Sequence, residues 1–192
     1  MTADAEWLRT PEPGWQAFDI PADVVGDSFV SGDPDSNRIA IQYYQSPDAS
    51  MIAKVIIGSG AQGPPGHAHG GAMAALLDET MGASAWLAGH WVVAAELTVS
   101  FRDMLPLGTR CIVEARVKRV EGRKVRTVGR IRDEDGTVFS KGKALFIALH
   151  EDRFGLLADQ VEALRAAGAL RAAPPAGNRR GVDIVRELRA GP

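Results

Sequence analysis

From residue 38 onward the chain alternates strand-like apolar runs with short polar breaks that favour turns. RIAIQYY (38–44) and MIAKVIIG (51–58) have the β-branched and aromatic content of strands, and SPDAS between them predicts an antiparallel hairpin. At Gly70 the period changes. Up to about Ala88 the spacing is helical, and Met73, Leu77, Met81 and Ser84 fall on one mostly apolar face. Four more strand-like runs follow, at 91–102, 109–120, 123–133 and 137–149, separated by the turn signals LPLG, EG and DEDG. Two strands, one long helix and four strands with short connections predict an α+β fold, in which an antiparallel sheet wraps around one central helix.

The two ends have a different texture. Residues 1–36 are rich in Pro, Asp and Gly, with Trp7, Trp15, Phe18 and Phe29 scattered among them, which predicts an irregular or partly helical arm pinned by aromatics. Beyond residue 150, DRFGLLADQVEALRAAG has helical spacing, RAAPPAGNRRG reads as a linker and VDIVRELRA as a short second helix. The predicted organisation is an N-terminal arm (1–36), a central domain (37–150) and a helical C-terminal tail (151–192).

Composition narrows the function. With 192 residues, 45% of them hydrophobic, the chain can bury a real core. A formal charge of −2 argues against wholesale nucleic-acid binding, which draws on a basic domain. The single cysteine, Cys111, allows no internal disulfide framework or thiol metal cluster, and a reducing compartment is the default for such a chain. MTADAEWLRTPEPGW lacks the basic flank and apolar run of an export signal. The longest uncharged stretch, Thr80 to Ala95, is shorter than the ~20 residues a membrane-spanning helix needs. A cytoplasmic location is expected.

Two motifs compete within GSGAQGPPGHAHGGAMAALLDETMG (58–82). GSGAQG satisfies the glycine fingerprint of dinucleotide-binding loops and follows a strand. That fingerprint needs a helix to start within the loop, so that its N-terminus meets the pyrophosphate, and Pro64 and Pro65 prevent this. Asp78 sits inside the helical pattern instead of closing a second parallel strand, and no β-α-β alternation follows. The dinucleotide reading therefore fails.

The second motif is HGG leading into the helix. Glycines at its start leave backbone N–H groups free in the first turn, where they and the helix dipole suit an oxygen that becomes negative during reaction. Gly70 or Gly71 would donate; His69 is either a general base or a clasp on the loop. Farther along, Gly71, Ala74, Ala75, Asp78, Gly82 and Ala85 form a helical stripe in which every member but the one carboxylate is small. Gly70 and Asp78 are separated by about 12 Å at 1.5 Å per residue, too far for both to reach one carbonyl carbon. Two antiparallel helices related by a two-fold axis would bring the glycine of one copy to the aspartate of the other.

PPGHAHGGAMAALLDETMG, AELTVSFRDMLPLG and VEGRKVRTVGRIRDEDGTVFSKGKALFIAL together resemble the hotdog-fold acyl-CoA thioesterases of the phenylacetate-degradation (PaaI-like) type. The likeness covers about residues 38 to 149. It implies a hotdog domain, a homodimer that often pairs into a tetramer, Asp78 as nucleophile or general base, and the Gly70 amide polarising the thioester carbonyl. Many relatives carry Ser or Thr near the start of the strand after the helix, to place the attacking water. Ala94 stands there in this chain, with Thr98 or Ser84 as possible substitutes.

Acyl-CoA is the expected partner, and its phosphates call for a locally basic site. Ten Lys or Arg stand against four Asp or Glu between Arg116 and Lys143. Arg123 and Lys124, in the turn of VEGRKV, are the nucleotide-binding candidates, and Gly71 is a further candidate for binding the coenzyme. Met73, Trp86, Trp91 and Met104 are candidates for an acyl pocket, or plain core. No cofactor is expected beyond the coenzyme A of the substrate. His67, His69, His90 and His150 lack the third placed ligand of a zinc site. Other functions left open are a non-catalytic acyl-CoA-binding protein, which Ala94 favours, and hydrolysis of acyl carrier protein thioesters. A hotdog hydratase lacks its Asp and His pair here.

Overall fold

The computed structural model describes residues 3–18, 28–31 and 37–149; the predicted tail lies outside them. The elements in chain order are α1 (Ala3–Arg9), β1 (Gln16–Ala17), β2 (Ile39–Gln45), β3 (Met51–Ile57), a 3₁₀ turn (Ser59–Ala61), α2 (Gly70–Leu87), β4 (Val92–Phe101), β5 (Arg110–Glu121), β6 (Lys124–Asp133) and β7 (Val138–Ala148). Each predicted strand and the long helix appear within one or two residues of their sequence bounds. The strands form one antiparallel sheet in the order β1-β2-β3-β5-β6-β7-β4. β4, the strand that leaves the helix, crosses to the far edge to pair with β7.

α2 lies across the concave face of the sheet, with Met73, Leu76, Leu77, Met81 and Ser84 buried. Its close seating has a local cause. Gly129 of β6 and Gly142 of β7 pair directly, and a Cβ added at either would stand 3.1 Å and 3.0 Å from the side chain of Met81. Leu77 presses on the same pair. The two glycines therefore make a flat seat for one turn of the helix.

The N-terminal arm covers part of the opposite face. Lys54 of β3 points outward yet is buried, its side chain 1% exposed, beneath residues 7–15. Its Nζ donates to the carbonyls of Thr10 (2.6 Å) and Trp7 (3.3 Å) and to Glu12 (2.8 Å), and lies 4.9 Å from the Trp7 ring centroid and 5.8 Å from that of Trp15. Trp15 stacks on Tyr44 at 5.7 Å, and the Tyr44 hydroxyl donates to the Leu8 carbonyl. Trp7, Trp15 and Phe18 pin the arm as the aromatic content predicts. Phe29 does not: it is 73% exposed, and its neighbour Val30 enters the core, because consecutive residues of a turn point to different sides. The arm also adds β1, too short for its pattern to show in sequence.

Candidate active site

The glycines of GSGAQG serve close packing. A Cβ on Gly58 would lie 2.2 Å from the Asn37 carbonyl oxygen, and one on Gly60 would lie 2.1 Å from Asn37 Oδ1. Their amides donate to the carbonyls of Arg38 and Asn37. The N–H groups that a phosphate would need are occupied by the strand entrance, which agrees with rejecting the dinucleotide reading. Gly63 lies against His69, and the loop closes through Gly63 N–H to His67 carbonyl and His69 N–H to Ala61 carbonyl.

His69 is the N-cap of α2. Its Nδ1 accepts the Gly71 N–H at 2.9 Å, and its carbonyl accepts from Ala72 and Met73. This is the clasp, and it fixes Nδ1 as the unprotonated ring nitrogen. Three of the four first-turn donors are thereby satisfied. The Gly70 N–H alone has no acceptor among the described residues, and it projects at the positive end of an 18-residue helix. The ring of Phe101, from β4, stands 3.3 Å from where a Gly70 Cβ would be. No sequence signal marked Phe101, because only the crossing of β4 to the far edge brings it to the helix start.

Asp78 lies half-buried two turns farther along. Its Oδ1 is shut off from water and has no hydrogen-bond partner among the described residues. Burial pushes its carboxyl above the usual range, and the charge of Glu79 adds to the rise. The small stripe divides in two. Ala85 is fully buried and Gly82 rests near Phe146, while Gly71 is exposed and Ala74, Ala75 and Asp78 are half-buried, so the N-terminal half is open to another surface.

Neither proposed substitute for Ala94 reaches this region. Thr98 lies opposite Lys143 and lines a groove on the outer face, and the Ser84 hydroxyl donates to the Met81 carbonyl. Ala94 itself stands at a β-bulge, where the register with β7 shifts. Arg123 folds back, with Nε donating to the Ala148 carbonyl at 2.6 Å; Lys124 opens β6 beside it, half-buried. The other basic residues spread over the outer face. Two grooves there, of about 690 and 450 Å³, are lined by Arg116, Arg130 and Lys141 and by Lys118, Arg126 and Lys143, and no residue of α2 lines either. Glu114 answers part of this charge: burial alone would raise its carboxyl, but hydrogen bonds from Arg130 and Arg132 outweigh that and hold it below the usual range.

Of the acyl-pocket candidates, Met73 is core, Trp86 and Trp91 are tilted against each other at 5.4 Å, and Met104 is 52% exposed. Among the described residues no helix is long and apolar enough to cross a membrane, and no group of three or more His, Cys, Asp or Glu is placed to hold a metal ion.

Residues 65–140 match the family model of the thioesterase superfamily. Acyl-coenzyme A thioesterase THEM4 of Xenopus laevis is 35% identical over 119 residues, which is 60% of this chain and 54% of that protein. This chain spans about half the length of the curated relatives it matches. A crystal structure of a thioesterase superfamily protein aligns at 32% identity with a TM-score of 0.51, covering 56% of each chain. The E. coli PaaI protein, from the phenylacetic acid degradation operon, is only 13% identical but shares the fold, with a TM-score of 0.56 over 67% of this chain and 91% of its own. The seven-stranded antiparallel sheet around one long helix is thus a hotdog fold, and the chain resembles the PaaI-like acyl-CoA thioesterases of the thioesterase superfamily.

Proposed function

We propose that the protein hydrolyses an acyl-CoA thioester to the free acid and CoA, in a site completed by a second copy of the chain. One observation carries this reading. On a single helix, the Gly70 N–H at the positive end and Oδ1 of Asp78 two turns on are both left without hydrogen-bond partners among the described residues, while the other N–H groups of the first turn are satisfied. They are about 12 Å apart, so one thioester carbonyl meets both only if a second helix runs antiparallel beside the first. The half-open stripe of small residues suits that approach.

In such a site the carbonyl oxygen accepts from Gly70 of one copy, which stabilises the negative charge that develops on it. Asp78 of the other copy either attacks the carbonyl carbon, giving a mixed anhydride that water then opens, or takes a proton from the attacking water. The C–S bond breaks, and the thiolate leaves as CoA after gaining a proton. Acyl-CoA is the substrate class suggested by the similarity to THEM4, and Arg123 and Lys124 are the residues we assign to its nucleotide. A homodimer is the smallest assembly that closes the site. Ala94 supports a second reading, acyl-CoA binding without turnover, since no hydroxyl among Thr98 and Ser84 replaces the missing one.

Free CoA release, followed with a thiol reagent across short, medium, long and aromatic acyl-CoAs, decides between them. Turnover by wild type that disappears in Asp78→Asn supports the hydrolase; tight acyl-CoA binding with no release supports the second reading. Mixing Gly70→Pro with Asp78→Asn subunits should restore part of the activity through one intact site per heterodimer. No recovery would sink the shared site.

A further inference from the structure

Asp78 and Glu79 are adjacent in sequence and about 100° apart around α2. Their carboxylates have opposite surroundings. Asp78 Oδ1 is buried without a partner, whereas Glu79 collects hydroxyl groups. Ser31 Oγ donates to Glu79 Oε1 at 2.7 Å and Tyr43 Oη to the same oxygen at 3.0 Å, while Ser28 Oγ lies 3.2 Å from Oε2. The two serine oxygens lie 3.2 Å apart. Tyr43 comes from β2, where burial first and the charge of Glu79 second push its phenol well above the usual value, so it remains a donor. Val30, between the serines, is buried in the core. Three neutral O–H groups converging on one carboxylate suit its ionised form, which only accepts.

We infer that Glu79 is a positioning residue: its carboxylate, gripped by Ser28, Ser31 and Tyr43, fastens residues 28–31 to the helix turn carrying Asp78 and holds a fixed negative charge beside it. The inference rests on the proposed role of Asp78. It assigns the two carboxylates different tasks, as divergent environments do for acid and base pairs generally. Glu79 touches no substrate; it acts through Asp78 and through the anchored segment. Burial and then Glu79 are what raise the Asp78 carboxyl, and Glu79 is the one neighbouring charge acting on it among the described residues. The groups facing Glu79 from β2 and from residues 28–31 are hydroxyls. A base whose proton affinity lies nearer the working pH is the more effective one.

Two variants separate the charge from the anchor. Glu79→Gln keeps the shape and one accepting oxygen and removes the charge. The acid limb of kcat/KM should then move to lower pH by about half a unit. Tyr43→Phe keeps the charge and removes one donor. That limb should stay in place while amide exchange at residues 28–31 quickens about fivefold. Carboxyl ¹³C NMR of Asp78 in wild type and Glu79→Gln reads the same movement without turnover. An inactive wild type would therefore count against the proposed hydrolysis, and the NMR titration would still judge the role of Glu79. An Asp78 midpoint unmoved by Glu79→Gln, or unchanged exchange at 28–31 in Tyr43→Phe, overturns the inference. If Glu79→Gln does not fold, the exchange rates in Tyr43→Phe decide it.

Discussion

Lys54 and Asp78 are both charged side chains withdrawn from water, and the two regions that hold them treat them in opposite ways. On the outer face, the arm surrounds Lys54 with two carbonyls, a carboxylate and two indole rings, so each proton on its ammonium has somewhere to go. On the helix, one oxygen of Asp78 is buried with nothing to accept from. Burying a charge is tolerable when it is hydrogen-bonded and costly when it is not. The first region spends its polar groups on holding the arm down. The second leaves a carboxylate of raised proton affinity unoccupied, which is what a nucleophile or base requires.

Removing the unsatisfied charge should give the largest effect. Asp78→Asn is expected to lower kcat for acyl-CoA hydrolysis by about three orders of magnitude with the fold intact, as measured by CoA release beside circular dichroism. Removing the satisfied charge should do the reverse. Lys54→Ala leaves Glu12 and two carbonyls without their cation, at a cost of about 2 kcal/mol in urea unfolding and with faster amide exchange over residues 7–15, while kcat changes less than about twofold. A loss of activity comparable to that of Asp78→Asn would break the contrast.

A subtler test uses pH. Because the Asp78 carboxyl is raised in the folded protein, its stabilising contribution is complete below the ordinary carboxylate range and is lost as pH rises through the folded value. Asp78→Asn should therefore match wild type in Tm at acid pH and exceed it at neutral pH. A variant less stable than wild type at neutral pH would show that Asp78 has a partner after all. The smallest effect belongs to Glu12→Gln. The Glu12 side chain is 48% exposed, so water screens the pair, and the expected loss is below about 1 kcal/mol by the same urea measurement.

Much of the fold around the candidate site was legible in the sequence, for reasons that are local. The helical spacing from Gly70 placed Met73, Leu77, Met81 and Ser84 on the buried face, and all four are buried. The prolines after GSGAQG ruled out a phosphate loop, and Gly58 and Gly60 are packed against Asn37. Other features could not be read because they depend on strands distant in sequence. Nothing local marks Glu79, because its partners come from positions 28, 31 and 43. Thr98 looked like a possible stand-in for the missing hydroxyl until the register of β4 against β7 turned it to the outer face.

The sequence by itself determined the elements, their order and where the long helix starts, because turn formation and hydrophobic period are set by residues a few positions apart. The tertiary structure alone decided which edge β4 takes, which side Lys54 faces and which carboxylate is left without a partner. Those outcomes follow from which strands pair and what then covers each side chain, and pairing between distant segments leaves no periodic trace in either segment alone.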